Sequence, residues 1–162
     1  MPLEISIRPG GLDDPHVIEL LGAHVSMARA QTAPGSAHAL DLSELRSSDI
    51  RFWSAWNGQD LLGTAALKRL SASHGEIKSM HTAEAFRRRG IASALLRHVI
   101  DTAKADGLTR VSLETGSWEY FRAARSLYAY HGFVECGPFG DYLRDPNSVF
   151  MTLDLNLNPS TK

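Results

Sequence analysis

The sequence predicts an α/β chain: one mixed sheet with helices on its faces. Three observations carry this. Asn57-Gly58 lies between two apolar runs, which is a strong hairpin signal. Residues 76–131 alternate between strand and helix patterns. The expected order, β-α-α-β-β-β-α-β-α-β-β, is not the regular alternation of a doubly wound sheet, and no Gly-x-Gly-x-x-Gly or Walker sequence occurs.

The elements follow in order. Ile5 to Arg8 reads as a short strand stopped by Pro9-Gly10-Gly11. Asp14-Pro15 opens a helix, with Asp14 as N-cap and Pro15 in the first helical position. Val17, Leu20, Leu21, His24, Val25 and Ala28 give it helical spacing. Thr32 to Ala37 is a loop. Asp41 to Glu44 resembles a capping box and starts a short helix through Arg46. Phe52 to Trp56 and Asp60 to Leu67 are the hairpin strands, and Glu76 to Thr82 is a further strand. Ile91 to Ala105 is the clearest helix, with a stripe of Ile91, Leu95, Leu96, Val99 and Ala103 and a closing Gly107. Arg110 to Thr115 is a strand, and Phe121 to His131 a helix ended by Gly132. Val134 to Cys136 and Val149 to Leu155 are late strands. Residues 1–156 are expected to form one domain and 157–162 a frayed tail.

Composition narrows the function. The chain has 162 residues, 43% hydrophobic and 22% charged, which is globular composition. No run reaches the ~18 apolar residues of a membrane span. The N-terminal Met-Pro-Leu-Glu-Ile has neither basic nor apolar leader character. Cys136 is the single cysteine, so a cytoplasmic chain is expected. The seven histidines and Cys136 form no His-x-x-x-His or Cys-x-x-Cys pattern, so no metal is expected. Net charge is −1, which speaks against a nucleic-acid binder. That average hides an asymmetry. From Lys68 to Arg110 there are nine Lys and Arg against four Asp and Glu; elsewhere there are eight against fourteen. The basic middle suggests a site for an anionic ligand.

The sharpest feature is Arg87-Arg88-Arg89-Gly90-Ile91-Ala92, between a strand and the best helix. Gly90 lets backbone approach a ligand closely or take positive φ. The first helical turn leaves N–H groups unpaired, and the helix dipole favours an anion there. Three arginines at that end oppose the dipole, which makes sense if a polyphosphate rests on the turn.

Here the sequence resembles the GNAT superfamily of acetyl-CoA-dependent N-acetyltransferases. Arg87, Gly90 and Ala92 satisfy its Gln/Arg-x-x-Gly-x-Gly/Ala pyrophosphate signature. Ala124, Leu127, Tyr128, Gly132 and Phe133 resemble its Ala-x-x-Leu-Tyr-x-x-x-Gly-Phe helix and turn. The resemblance covers roughly Gln59 to Val134. One departure stands out: the family's asparagine three residues before the alanine is Phe121 here.

The resemblance implies a mixed, mostly antiparallel central sheet with helices on both faces, acetyl-CoA as co-substrate and direct transfer to an amine. It implies that the backbone of Met80, His81 and Thr82 holds the pantetheine arm. The pyrophosphate would rest on the turn of Arg87, Arg88, Arg89, Gly90, Ile91, Ala92 and Ser93. An alkylamine resembles lysine, with pKa about 10.4. About one molecule in 2,500 is neutral at pH 7, an obstacle of about 4.6 kcal/mol. Glu76 is the candidate base, because a regular strand would put it on the same face as Met80; burial would have to raise its pKa for the task. The plain alternative is a surface Glu76 paired with Lys78. Tyr128 occupies the family's position for an acid near the departing sulfur. Full transfer from a phenol to a thiolate is uphill by roughly 2 kcal/mol, but a hydrogen bond suffices.

Acceptor contacts are expected from Met27 to Leu42 and from Gly137 to Ser148. The candidates are His38, Asp41, Phe139 and Tyr142. The acceptor is expected to be a small-molecule amine, with no nucleic acid and no membrane partner. The alternatives are a protein amine, N-terminal or lysine, or a silent acyl-CoA-binding module. The resemblance also implies a homodimer through the late strands.

Overall fold

A computed structural model describes residues 4–31, 42–117, 119–140 and 142–156. The strands are β1 (Ser6–Pro9), β2 (Ile50–Asn57), β3 (Asp60–Arg69), β4 (His74–Thr82), β5 (Arg110–Gly116), β6 (Val134–Cys136) and β7 (Ser148–Asp154). The helices are α1 (Pro15–Gln31), α2 (Leu42–Leu45), α3 (Ile91–Ala105) and α4 (Arg122–Tyr130). Short 3₁₀ turns, Glu84–Phe86 and Glu119–Phe121, precede α3 and α4. The expected loop at residues 32–37 and tail at 157–162 lie outside the described residues.

One sheet holds the seven strands in the order β1-β2-β3-β4-β5-β7-β6. Every pairing is antiparallel except β4 with β5. The mixed, mostly antiparallel architecture is the expected one. A core of Ala65, Leu67, Ile77, Val111 and Leu113 meets the α3 stripe on one face. On the other face Val17 and Leu21 of α1 and Leu45 of α2 cover Phe52 and Ala66. The five apolar positions expected to form the α3 stripe are the five residues that helix buries. Asp14 caps α1, accepting the His16 N–H at 2.8 Å. Among the described residues no helix is long and apolar enough to cross a membrane.

Two local expectations need correction. The hairpin turns on Gly58 and Gln59, because Asn57 already pairs with Asp60. Gly58 takes φ 60° as the first turn residue, where a type II′ hairpin needs glycine. β4 is also not a regular strand. Lys78 opposes Ala66 and His81 opposes Thr64, so Ser79 and Met80 share the space opposite Ala65. Ser79 has φ 55°, and Thr64 Oγ1 donates to its carbonyl at 2.8 Å, holding the bulge.

The bulge overturns the expected shared face of Glu76 and Met80. By register, Glu76, Lys78 and His81 stand with Lys68, Ala66 and Thr64 on the α1/α2 face. Met80 packs against the α3-side core instead.

Candidate active site

The site begins where two strands part. β4 pairs with β5 only at His74, Gly75 and Glu76. From Ile77 to Thr82, β4 pairs with β3 but has no strand partner on the β5 side. Glu76 is the last paired residue and stands at the fork, opposite Ser112.

A groove of about 490 Å³ follows that edge on the α3 side. Met80, His81 and Thr82 form one wall, and Arg87, Arg88, Gly90, Ile91, Ala92 and Ser93 form the end. Gly90 is the N-cap of α3 with φ 82°, and it makes no side-chain cap. A Cβ there would meet nothing within 4 Å, so glycine serves the backbone conformation and open access rather than packing. Arg88 is also left-handed, at φ 66°. Left-handed residues on both sides of Arg89 turn this backbone toward an anion-binding concavity. Arg89 lies over the Phe86 ring at 5.9 Å. A diphosphate fits this uncapped, cationic turn, and an extended amide chain fits the open β4 edge.

The third wall is α4 with the turn before it, through Phe121 of the 3₁₀ turn and Ala123, Ala124, Leu127 and Tyr128 of the helix. Phe121 answers what stands in place of the family's asparagine. Its ring lies on Gly116 at the end of β5, where a Cβ would fall 2.0 Å from the ring. The groove gains an apolar wall there and loses a side-chain amide. Tyr128 is 7% exposed and packs edge-on to Phe133 at 5.8 Å. Among the described residues none hydrogen-bonds its hydroxyl. Burial pushes the phenol far above its ordinary value, so it stays protonated as an O–H donor.

On the opposite face of the fork sits a polar cluster. Glu76 is only 3% exposed. Its Oε2 accepts from Lys78 Nζ at 3.0 Å and from Tyr142 Oη at 2.5 Å. Oε1 has no described partner. Sequence reasoning offered a Lys78 partner only for a surface carboxylate; the pair exists, but it is buried. Tyr142 comes from the loop before β7 and packs with Phe139 at 5.2 Å and Phe150 at 5.5 Å. Burial and then the neighbouring Glu76 carboxylate push the Tyr142 phenol far up, with Glu114 and Glu44 acting the same way. It too is a donor at neutral pH.

Beside Glu76 the cluster continues through groups that motif reading missed. His74 Nε2 meets Ser112 Oγ at 2.7 Å, Ser112 Oγ meets Thr152 Oγ1 at 2.8 Å, and Arg110 donates to Thr152 at 2.9 Å. Burial and then Arg110 hold the His74 imidazole below its ordinary value, against the pull of Glu76. The signal for these residues was present: Val111-Ser112-Leu113-Glu114 alternates, which marks a polar sheet face.

The structure therefore brings Glu76, Tyr142 and Phe139 together, and separately Tyr128 with the candidate cofactor residues. His38 and Asp41 lie outside the described residues. Among the described residues no group of three or more His, Cys, Asp and Glu is placed to hold a metal.

Comparison with known proteins bears on this geometry. Residues 22–133 match the model of the acetyltransferase (GNAT) family. The uncharacterized N-acetyltransferase YsnE of Bacillus subtilis is 47% identical over 149 residues, covering 92% of this chain and 99% of that one. The IAA acetyltransferase of Azospirillum brasilense is 39% identical over 117 residues, covering 72% and 75%. In fold, a GNAT-family acetyltransferase structure from Staphylococcus aureus superimposes with TM-score 0.72 at 24% identity, covering 94% and 99%. With a parted β4–β5 pair, an uncapped arginine turn and a relative aligned along nearly its whole length, the chain belongs to the GNAT acetyltransferase family.

Proposed function

We propose that the protein moves an acetyl group from acetyl-CoA to the primary amine of a small molecule by direct attack. The observation that carries this is the groove that runs from the β4 strand past its fork with β5, along Met80 to Thr82, to the uncapped turn at Gly90.

In this reading the backbone of Met80, His81 and Thr82 pairs with the pantetheine amides. The N–H groups from Arg88 to Ser93 hold the diphosphate, with Ile91 and Ala92 presenting backbone. Arg87, Arg88 and Arg89 offset its charge. Acetyl-CoA supplies the thioester. The amine nitrogen bonds to the acyl carbon and the carbon–sulfur bond breaks.

The amine nitrogen gives up one proton, and the sulfur leaves as the thiolate of CoA. Glu76 takes the amine proton, directly or through one water, at Oε1. Lys78 and Tyr142 fix the carboxylate by engaging Oε2. Tyr128 donates a hydrogen bond to the departing sulfur. Its raised phenol disfavours complete proton transfer, so its role is charge stabilisation. Phe139 and Tyr142 form an aromatic wall beside the acceptor. The printed name of the Azospirillum relative, an acetyltransferase of IAA, supports a small acceptor. The cytoplasm is the proposed location.

Thermal unfolding with acetyl-CoA tests the reading, with ATP as control. At 100 times Kd the ligand adds about 2.7 kcal/mol, a melting rise of roughly 5–10 °C. Screening of small amines by thiol release then identifies the acceptor. No rise at saturating acetyl-CoA overturns the proposal.

A further inference from the structure

The cofactor groove contains one more polar contact, between two helices. Ser93, in the first turn of α3, lines the groove end. Its Oγ lies 3.2 Å from His131 Nε2. His131 is the C-cap residue of α4. Helical spacing puts it one turn beyond Leu127, on the side of α4 that faces the groove. The neighbouring Tyr130 ring sits edge-on to the imidazole at 5.4 Å.

We propose that His131 is a positioning residue of the cofactor site: it orients the Ser93 hydroxyl toward the bound diphosphate and takes up a proton when that anion arrives. The inference rests on the acetyl-CoA reading above.

The charges around the imidazole set the sign. Burial and then Arg97 of α3 hold it below its ordinary value, so it is neutral at pH 7 without ligand. No described carboxylate pairs with it. Arg87 and Arg88 of the turn add further cations at this end of the groove. The C-terminal end of α4 favours a cation, but the arginines oppose one. A diphosphate screens those arginines and adds negative charge beside Ser93. Both changes favour the imidazolium. The neutral ring and the imidazolium can each pair with the Ser93 oxygen, which leaves the hydroxyl proton for a phosphate oxygen.

Titration calorimetry with 3′-dephospho-CoA tests this from pH 6 to 8.5, in buffers of different ionisation enthalpy. That probe lacks the phosphomonoester, whose own pKa near 6 would obscure the proton count. Wild type should take up a fraction of a proton, and its Kd should rise about threefold to tenfold between pH 6.5 and 8. His131→Gln keeps a donor toward Ser93 but cannot titrate. It should bind without proton uptake, with a flat Kd near the wild-type value at high pH. His131→Lys, a fixed cation, should be flat near the low-pH value. Equal proton uptake and equal slope in wild type and His131→Gln overturn the role of His131 and leave the cofactor reading intact. No binding of the probe or of CoA by wild type overturns both.

Discussion

Tyr142 donates a hydrogen bond to Glu76 Oε2 at 2.5 Å, although 66 positions separate the two residues. The contact ties the loop before β7 to the fork of β4 and β5. It also leaves Oε1 as the carboxylate oxygen free of described partners. The chemistry assigned to Glu76 predicts that Glu76→Gln lowers turnover at least tenfold at neutral pH, with little change in KM for acetyl-CoA. Tyr142→Phe keeps the ring packing on Phe139 and Phe150 but removes the donor. A hydrogen bond to a charged group is worth roughly 1.5–3 kcal/mol, so kcat should fall about tenfold. Thiol-release kinetics measure both; unchanged kcat in Glu76→Gln removes Glu76 from the reaction.

Lys78 is predicted to matter first for stability. Its side chain is 13% exposed and that of Glu76 is 5% exposed. Removing one partner of a buried pair costs about 3 kcal/mol, because the other charge stays buried. Lys78→Met should therefore lower the melting temperature by roughly 6–12 °C. The double variant Glu76→Gln, Lys78→Met should recover most of that loss, since no buried charge remains. Additive losses would show that the two residues stabilise the fold independently.

Tyr128 separates chemistry from packing. Its ring belongs to the core, and its hydroxyl has no described partner. Tyr128→Phe should leave stability within about 0.5 kcal/mol, because no internal hydrogen bond is lost. If the hydroxyl stabilises the departing sulfur, kcat should fall by about tenfold or more. Normal kcat would leave only the packing role.

The legible parts of the sequence were those governed by local spacing. The α3 stripe follows from a 3.6-residue period, and the left-handed turn that opens α3 from Gly90. Glu76 and Tyr142 were both singled out, but as base and as acceptor contact; nothing local shows that a loop brings one onto the other. The Ser79 bulge was illegible for a different reason. Serine carries no cost signal for a left-handed conformation, and the hydrogen bond that holds it comes from Thr64 on another strand. That single residue decides which face Met80 takes, so the regular-strand argument failed there. Phe121 was noticed as a departure, yet its seat on Gly116 needed three dimensions.

That seat gives a stability prediction. An added Cβ at Gly116 would fall 2.0 Å from the Phe121 ring, too close for any small adjustment. Gly116→Ala should cost about 1–3 kcal/mol through overpacking and displace the ring into the cofactor groove. Affinity for CoA should drop with it. Pairing Gly116→Ala with Phe121→Asn, which shortens the intruding side chain, should restore most of both quantities. A Gly116→Ala protein with wild-type melting and CoA affinity would show that the ring has another resting place.

The last prediction concerns acid. His74 is held below its ordinary value by burial and by Arg110. The unfolded chain then binds a proton more readily than the folded one in the range below about pH 6.5. Stability is full above that value and falls as pH drops toward the folded-state pKa. The sign is the reverse of a histidine held by a carboxylate, because here the native state prefers the neutral ring. Protonation also removes the chance for Nε2 to accept from Ser112, so Ser112 must accept from the imidazolium and its own hydroxyl proton is left for Thr152. Melting curves from pH 8 to pH 5 should show wild type losing stability on acidification more steeply than His74→Asn. His131 titrates in the same sense, being lowered by burial and Arg97, so the two variants together should flatten the curve further than either alone. Parallel curves for wild type and His74→Asn would mean that the buried network tolerates the imidazolium, with the charge spread toward Glu76.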